Sequence, residues 1–129
     1  MVTITSRATS PVFYLSQPLE VSMVKFMILF STPDDLERFE DSYNNFLALI
    51  ERMPDIRRRQ VINVLGSPMG TPRLYRILEV YFDSYDALNA ALKSPQGQEA
   101  GGELRTFPSG EIELLFAEVY EEAGGQTEQ

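Results

Sequence analysis

The chain has 129 residues, the length of one ordinary domain, and its 43% hydrophobic and 23% charged residues give a globular balance, not a disordered one. Nineteen acids against eleven bases set a formal charge of −8, which opposes bulk attraction to nucleic acid or to an anionic membrane. Cysteine, histidine and tryptophan are absent, which removes disulfides, thiolate nucleophiles, cysteine-bound zinc, Fe–S clusters, Ser-His-Asp triads and imidazole ligands. The expectation is a protein with neither metal nor cofactor.

Residues 1–22 are rich in Ser, Thr and Pro and read as a flexible extension ahead of Met23. Pro11, Ser16, Gln17 and Pro18 interrupt the apolar run that a signal peptide needs. No stretch approaches the ~18 apolar residues of a membrane span, so the chain reads as cytoplasmic and without a membrane partner. Val24–Phe30 alternates as a strand with Val24, Phe26, Ile28 and Phe30 on one face, and both of its faces are largely apolar. Thr32 then offers a cap and Pro33 a first helical turn, with Asp34, Asp35 and Glu37 at the positive end of the helix dipole. Leu36, Phe39, Tyr43, Phe46, Leu47 and Ile50 follow at steps of three or four, a helix with one apolar stripe that Met53-Pro54-Asp55 ends.

A second strand is predicted over Ile56–Gly66, then the loop SPMGTP and a third strand over Arg73–Phe82, together an antiparallel hairpin. Asp83 or Ser84 caps a second helix over 84–93, with Ala87, Leu88, Ala91 and Leu92 inward. Ser94-Pro95 starts a short helical piece that Gly101-Gly102, read as turn residues, weakens; Glu111–Tyr120 is a fourth strand. Residues 122–129 form an acidic tail, which leaves 23–121 as the folded domain. The order β-α-β-β-α-β is the ferredoxin-like α+β arrangement, an antiparallel sheet with helices on one face. Strands one and four carry apolar residues on the other face as well, and the simplest cover for such a face is a second copy of the same sheet, a two-fold homodimer.

Met23 to Glu121 resembles the EthD family of the dimeric α+β barrel superfamily. The most specific pieces are Tyr75-Arg76-Ile77-Leu78-Glu79 leading into Tyr81-Phe82-Asp83-Ser84, and Ser94-Pro95-Gln96-Gly97-Gln98. The resemblance implies a homodimer with a ligand pocket between the sheet and the first helix. It also implies a loose tie to breakdown of ethers and aromatic compounds under a broad oxidoreductase label, on a fold whose chemistries vary widely. Members of the family commonly carry a histidine in a His-x-Pro-Leu stretch of that helix. Counting back from Met53-Pro54, the stretch here is Phe46-Leu47-Ala48-Leu49, so Phe46 stands for the histidine and Ala48 for the proline. An activity that uses the imidazole is lost or reassigned.

The residues expected to line the pocket are Phe26, Ile28, Tyr43, Phe46, Asn63, Tyr75 and Glu79. Glu79 lies mid-strand among Tyr75, Ile77 and Tyr81, where an apolar setting raises a carboxyl pKa and makes a general base. If Leu65 opposes Arg73 across the hairpin, Glu79 instead pairs with Arg59. Tyr43 either donates a phenolic hydrogen bond into the pocket or is a core tyrosine. Asn63 either orients a ligand carbonyl or pairs with Tyr75. Arg57-Arg58-Arg59 alternates in direction on a strand, which breaks up any patch for nucleic acid. Asp34, Asp35 and Glu37 suit a helix N-terminus without any cation. Three readings stay open: an enzyme or accessory acting on a hydrophobic, aromatic or ether-like metabolite with Glu79 and Tyr43 as catalytic groups, a non-catalytic module that binds such a molecule, and a purely structural dimer with a filled interior.

Overall fold

Seven elements follow one another in the computed structural model of the protein, which describes residues 23–121: β1 (Met23–Ser31), α1 (Leu36–Ile50), β2 (Arg58–Asn63), β3 (Leu74–Phe82), α2 (Tyr85–Lys93), α3 (Pro95–Leu104) and β4 (Ile112–Val119). Expectations for residues 1–22 and 122–129 lie outside the described residues. The four strands form one sheet in the order β2-β3-β1-β4, with β3 antiparallel to both β1 and β2. This is the ferredoxin-like α+β arrangement with an added helix, and Met23–Glu118 pack as one compact unit.

The alternation read in the first strand decides which face the helices cover. Phe26, Ile28 and Phe30 pair in register with Val80, Leu78 and Arg76, and Val24 with Phe82, so these side chains share one face of the sheet. Phe39, Tyr43, Phe46 and Ile50 of α1 pack there with Leu88 and Ala91 of α2 and Ala100 and Leu104 of α3 in a single core. All three helices therefore lie on one face. At roughly 25 cal/mol per Å2 of apolar surface, fully burying side chains such as Phe30, Phe39, Phe46 and Phe82 stabilises the fold by about 1.5–3 kcal/mol each.

Local chemistry sets the element ends, and several differ from the sequence expectation. Asp35, not Thr32, caps α1: its side chain accepts from the Arg38 N–H at 3.1 Å, and Pro33 precedes the helix. After Met53-Pro54, Asp55 takes a positive φ of 65°, a conformation that Asp tolerates better than most residues. Strand β2 is shorter than predicted, and the following loop turns at Gly70 with φ 118°. Ser84 caps α2 by accepting from Ala87 N–H at 3.1 Å. Ser94 caps α3 by accepting from Gly97 N–H at 3.0 Å, with Pro95 in its first turn.

Helix α3 then continues through Gly101 and Gly102 instead of stopping there. Its position depends on Gly97. A Cβ on Gly97 would collide with the backbone carbonyl oxygens of Ala91 and Leu92, so this glycine lets the start of α3 sit against the last turn of α2. No helix among the described residues is long and apolar enough to cross a membrane.

Candidate functional site

Helix α1 presents one apolar stripe to the sheet, yet its two halves meet different surroundings. The first half closes onto β3. Arg76, in phase with Leu78 and Val80, points to the helix side, where a buried guanidinium needs an acid. Glu40 of α1 supplies it: Arg76 Nη1 donates to Oε1 at 2.8 Å and Nη2 to Oε2 at 2.9 Å, a two-pronged pair. Arg76 Nε donates to Asn63 Oδ1 at 2.8 Å, and the Tyr75 hydroxyl donates to Glu40 Oε2 at 3.2 Å. The guanidinium lies 4.5 Å from the Tyr43 ring centroid and 5.2 Å from that of Tyr75. Hydrogen bonding from Arg76 holds the Glu40 carboxyl below its ordinary value, and the residual burial that opposes this is the smaller effect.

Tyr43 stands beside this cluster with its ring packed against Phe30 and Phe39 at 5.5 and 5.9 Å. The residue is buried, and its hydroxyl has no hydrogen-bond partner among the described residues. Burial raises its pKa, so the group is a neutral phenol.

The second half of α1 faces a hole. Phe46, Ile50 and the following Met53 line a cavity of about 270 Å³ with Phe26 of β1, Leu92 of α2, Gly97, Gln98, Ala100, Gly101 and Leu104 of α3, the adjoining Arg105, and Leu114, Leu115 and Phe116 of β4. Phe46, the residue standing where the family resemblance puts a histidine, is wholly buried in this wall. Phe116 packs on Phe26 at 5.6 Å yet remains 49% exposed, so the β4 side is open to solvent. A Cβ on Gly101 would meet nothing within 4 Å. Among the described residues the lining holds no carboxylate, and its polar side chains are Gln98 and Arg105.

The seven expected pocket residues thus part company. Phe26 and Phe46 line the cavity; Ile28 is fully buried in the core; Tyr43, Asn63 and Tyr75 gather around Arg76. Glu79 is on the opposite face of the sheet. The register is one residue away from the expected one: Gln60, not Arg59, opposes Glu79, and Asn63 opposes Arg76, not Tyr75. A one-residue slip inverts every side chain of a strand, which is why the expected Arg59 pair fails. Glu79 is buried and pairs with Lys25 Nζ at 3.1 Å from the neighbouring strand, with the Tyr81 hydroxyl donating to its Oε1 at 3.0 Å. The salt-bridge reading holds in kind, with a different cation.

The three consecutive arginines go three ways, Arg57 to Asp83 at 2.7 Å, Arg59 to Glu51 at 3.2 Å, and Arg58 over the Tyr81 ring at 4.3 Å. Among the described residues no group of three acids is placed to hold a metal ion. Sequence reasoning gave Arg76 no role and missed Glu40. The available signal was an arginine on the inward phase of an apolar strand, which calls for an acid within reach.

No family model matches the chain. It is 26% identical over 97 residues to an uncharacterized 11.0 kDa protein encoded in the thcB-thcC intergenic region of Rhodococcus erythropolis, covering 74% of this chain and 94% of that one. Among solved structures, an ethyl tert-butyl ether D (EthD) family protein of Bacillus halodurans superposes with a TM-score of 0.70 at 29% identity, over 74% of this chain and 96% of that one. A dimeric ferredoxin-like protein of unknown function from Jannaschia sp. matches at 0.57 and 18%, over 75% and 99% of the two chains. SnoaB, a cofactor-independent oxygenase of Streptomyces nogalater, matches at 0.53 and 17%, over 82% and 96%. The last two likenesses are of fold alone.

Proposed function

From a chain that resembles the EthD family in both sequence and fold, we propose a homodimeric protein that takes a hydrophobic small molecule, aromatic or ether-like, into the cavity between α1, α3 and β4. The observation that carries this reading is the cavity itself: about 270 Å³, walled by phenylalanine, leucine, isoleucine and methionine, with two polar side chains and no acid. Apolar pockets with few polar groups hold ligands by burial and orient them by those groups. Phe46 supplies burial where an imidazole would supply a proton, which favours holding over transforming. The dimer follows from the likeness to proteins described as dimeric and from the apolar residues Met27, Leu29, Ile62 and Ile77 on the sheet face away from the helices.

The test is binding of N-phenyl-1-naphthylamine, a neutral aromatic that brightens on leaving water, to the full chain. The expected result is saturable brightening that Gly101→Leu abolishes, because a side chain at Gly101 enters the open space at the cavity wall. Brightening unchanged in that variant would sink the assignment. Native mass spectrometry checks the dimer, and a monomer alone at micromolar concentration would remove it.

The catalytic reading rests on Tyr43, a buried phenol without a partner one helical turn from Phe46. Tyr43 is not in the cavity lining, so this reading requires the reacting oxygen to reach past Phe46 to the hydroxyl, which would then stabilise a developing oxyanion on a cofactor-free route. Glu79 shares no cavity with it and would act as a base only on the other face of the sheet. Loss of turnover of a bound substrate in Tyr43→Phe, with binding intact, is what this reading requires.

A further inference from the structure

We propose that the ligand of the α1/α3/β4 cavity is an aromatic acid, its ring system inside the apolar walls and its anionic group on the Arg105 guanidinium. The proposal rests on the cavity reading above and adds the chemical class. Among the described residues, Arg105 is the one ionisable residue in the lining. It has no ion-pair partner within 4.0 Å among the described residues, in a protein whose acids outnumber its bases.

Three acids of α3 and β4 are engaged elsewhere. Glu99 pairs with Arg52 and Glu113 with Arg73, each at 3.5 Å, and Glu103 Oε2 lies 3.5 Å from the Thr106 hydroxyl that can donate to it. A cation at a helix C-terminus is favourable on its own, and Arg105 does cap α3. That accounts for a base at this position but not for where the guanidinium goes. Nη2 lies 3.8 Å from where a Gly102 Cβ would be, so the side chain runs back along α3 over Gly102, one residue past the Gly101 that lines the cavity. A second depression, lined by Phe107, Pro108 and Ile112, shares Gly101, Leu104, Arg105 and Leu114 with the first. Arg105 is solvent-exposed and contributes to the rim of both apolar hollows.

An exposed cation at the rim of two apolar hollows favours an amphipathic anion, because a carboxylate replaces water with a charge-assisted acceptor and a neutral ligand does not. Size is consistent: a benzene-sized ligand occupies an apolar cavity of about 150 Å³, so 270 Å³ takes a two-ring body.

The experiment compares 2-naphthoate with its uncharged amide, 2-naphthamide, by calorimetric titration of the full chain. Expected is a preference for the acid of about fivefold to tenfold, the worth of one charge-assisted contact at a half-wet rim. Arg105→Gln should erase the preference and Arg105→Lys should restore part of it. Equal affinity for the two probes overturns the acid class and leaves the cavity reading standing. A preference that survives Arg105→Gln overturns the role of Arg105. Binding of neither probe overturns both the acid class and the cavity reading.

Discussion

The two halves of α1 lie on the same sheet and carry the same kind of stripe, yet one half is sealed and the other is hollow. In the first, Phe39 and Tyr43 pack under Tyr75 and Arg76, and the charge of Arg76 is met by Glu40. In the second, Phe46 and Ile50 face α3 where that helix offers Gly97, Ala100 and Gly101. The difference does not lie in α1. It lies in what the facing element contributes: β3 brings long side chains that reach across, and α3 brings residues with almost none. Close packing is the default of protein interiors, so a hollow left by short residues next to large ones is a departure from it, and it is the feature on which the proposed binding role rests.

The sharpest way to break the comparison is at the sealed half. Arg76→Ala removes a mostly buried guanidinium, its stacking on Tyr43 and Tyr75, and the partners of Glu40 and Asn63. The expected loss of stability is about 2–4 kcal/mol, read from the urea midpoint, with probe binding at the hollow half retained in the folded protein. A neutral outcome would mean that the cluster is a surface feature and not a seal. Gly97→Ala attacks the hollow half through its frame. The methyl group meets backbone oxygens of α2, which cannot rotate away, so α3 must shift. About 1–3 kcal/mol of destabilisation is expected, together with weaker probe binding, because Gly97, Gln98, Ala100, Gly101 and Leu104 of α3 all line the cavity. Full stability in that variant would show that α3 is free to move and that the cavity is not built by this approach.

How far the sequence reached can be judged from the same residues. The alternation of Val24, Phe26, Ile28 and Phe30 and the three-four spacing from Phe39 to Ile50 are periodic signals, and periodicity is a property of the chain itself; the element order followed from them. The hairpin register was out of reach, since one residue of slip between β2 and β3 costs nothing in the alternation of either strand read singly. That slip moved the expected partner of Glu79 from Arg59 to Gln60 and left Lys25, on a different strand, as its cation. The cavity was half legible. Phe26 and Phe46 fall to it by their phase once the family resemblance implies a pocket between sheet and first helix, but the α3 wall does not, because Gly101-Gly102 has the composition of a turn and becomes helix by packing. Arg105 carries no local signal at all; its meaning comes from where α3 ends.

The smallest expected effect sharpens the comparison by pH, because the sealed half and the start of β4 carry acids shifted in opposite directions. Glu40 is held below its ordinary value by the Arg76 hydrogen bonds, so its contribution is present above the ordinary glutamate pKa of about 4.3 and is lost as pH falls through the lowered folded value. Glu111 is 8% exposed with Oε1 unpaired, and burial raises its pKa. The backbone holds it there: its N–H donates to Pro108 C=O at 3.0 Å, and its C=O accepts from Ser31 N–H at 2.9 Å. A raised carboxyl means that the folded state binds the proton more readily than the unfolded one. Stability therefore rises as pH falls from neutral through the folded value of Glu111 toward about 4.3, and declines below that as Glu40 is protonated. Glu111→Gln should stabilise the protein at pH 7 by less than about 1 kcal/mol and flatten the rise, leaving the acid-side decline in place. Glu40→Gln should remove part of that decline and leave the rise. Thermal melts across pH 3.5–7.5 separate the two limbs, and a Glu111→Gln profile that merely parallels the parent would show that its carboxylate is solvated in the folded state and that the wall beside Ser31 is wetter than its burial implies.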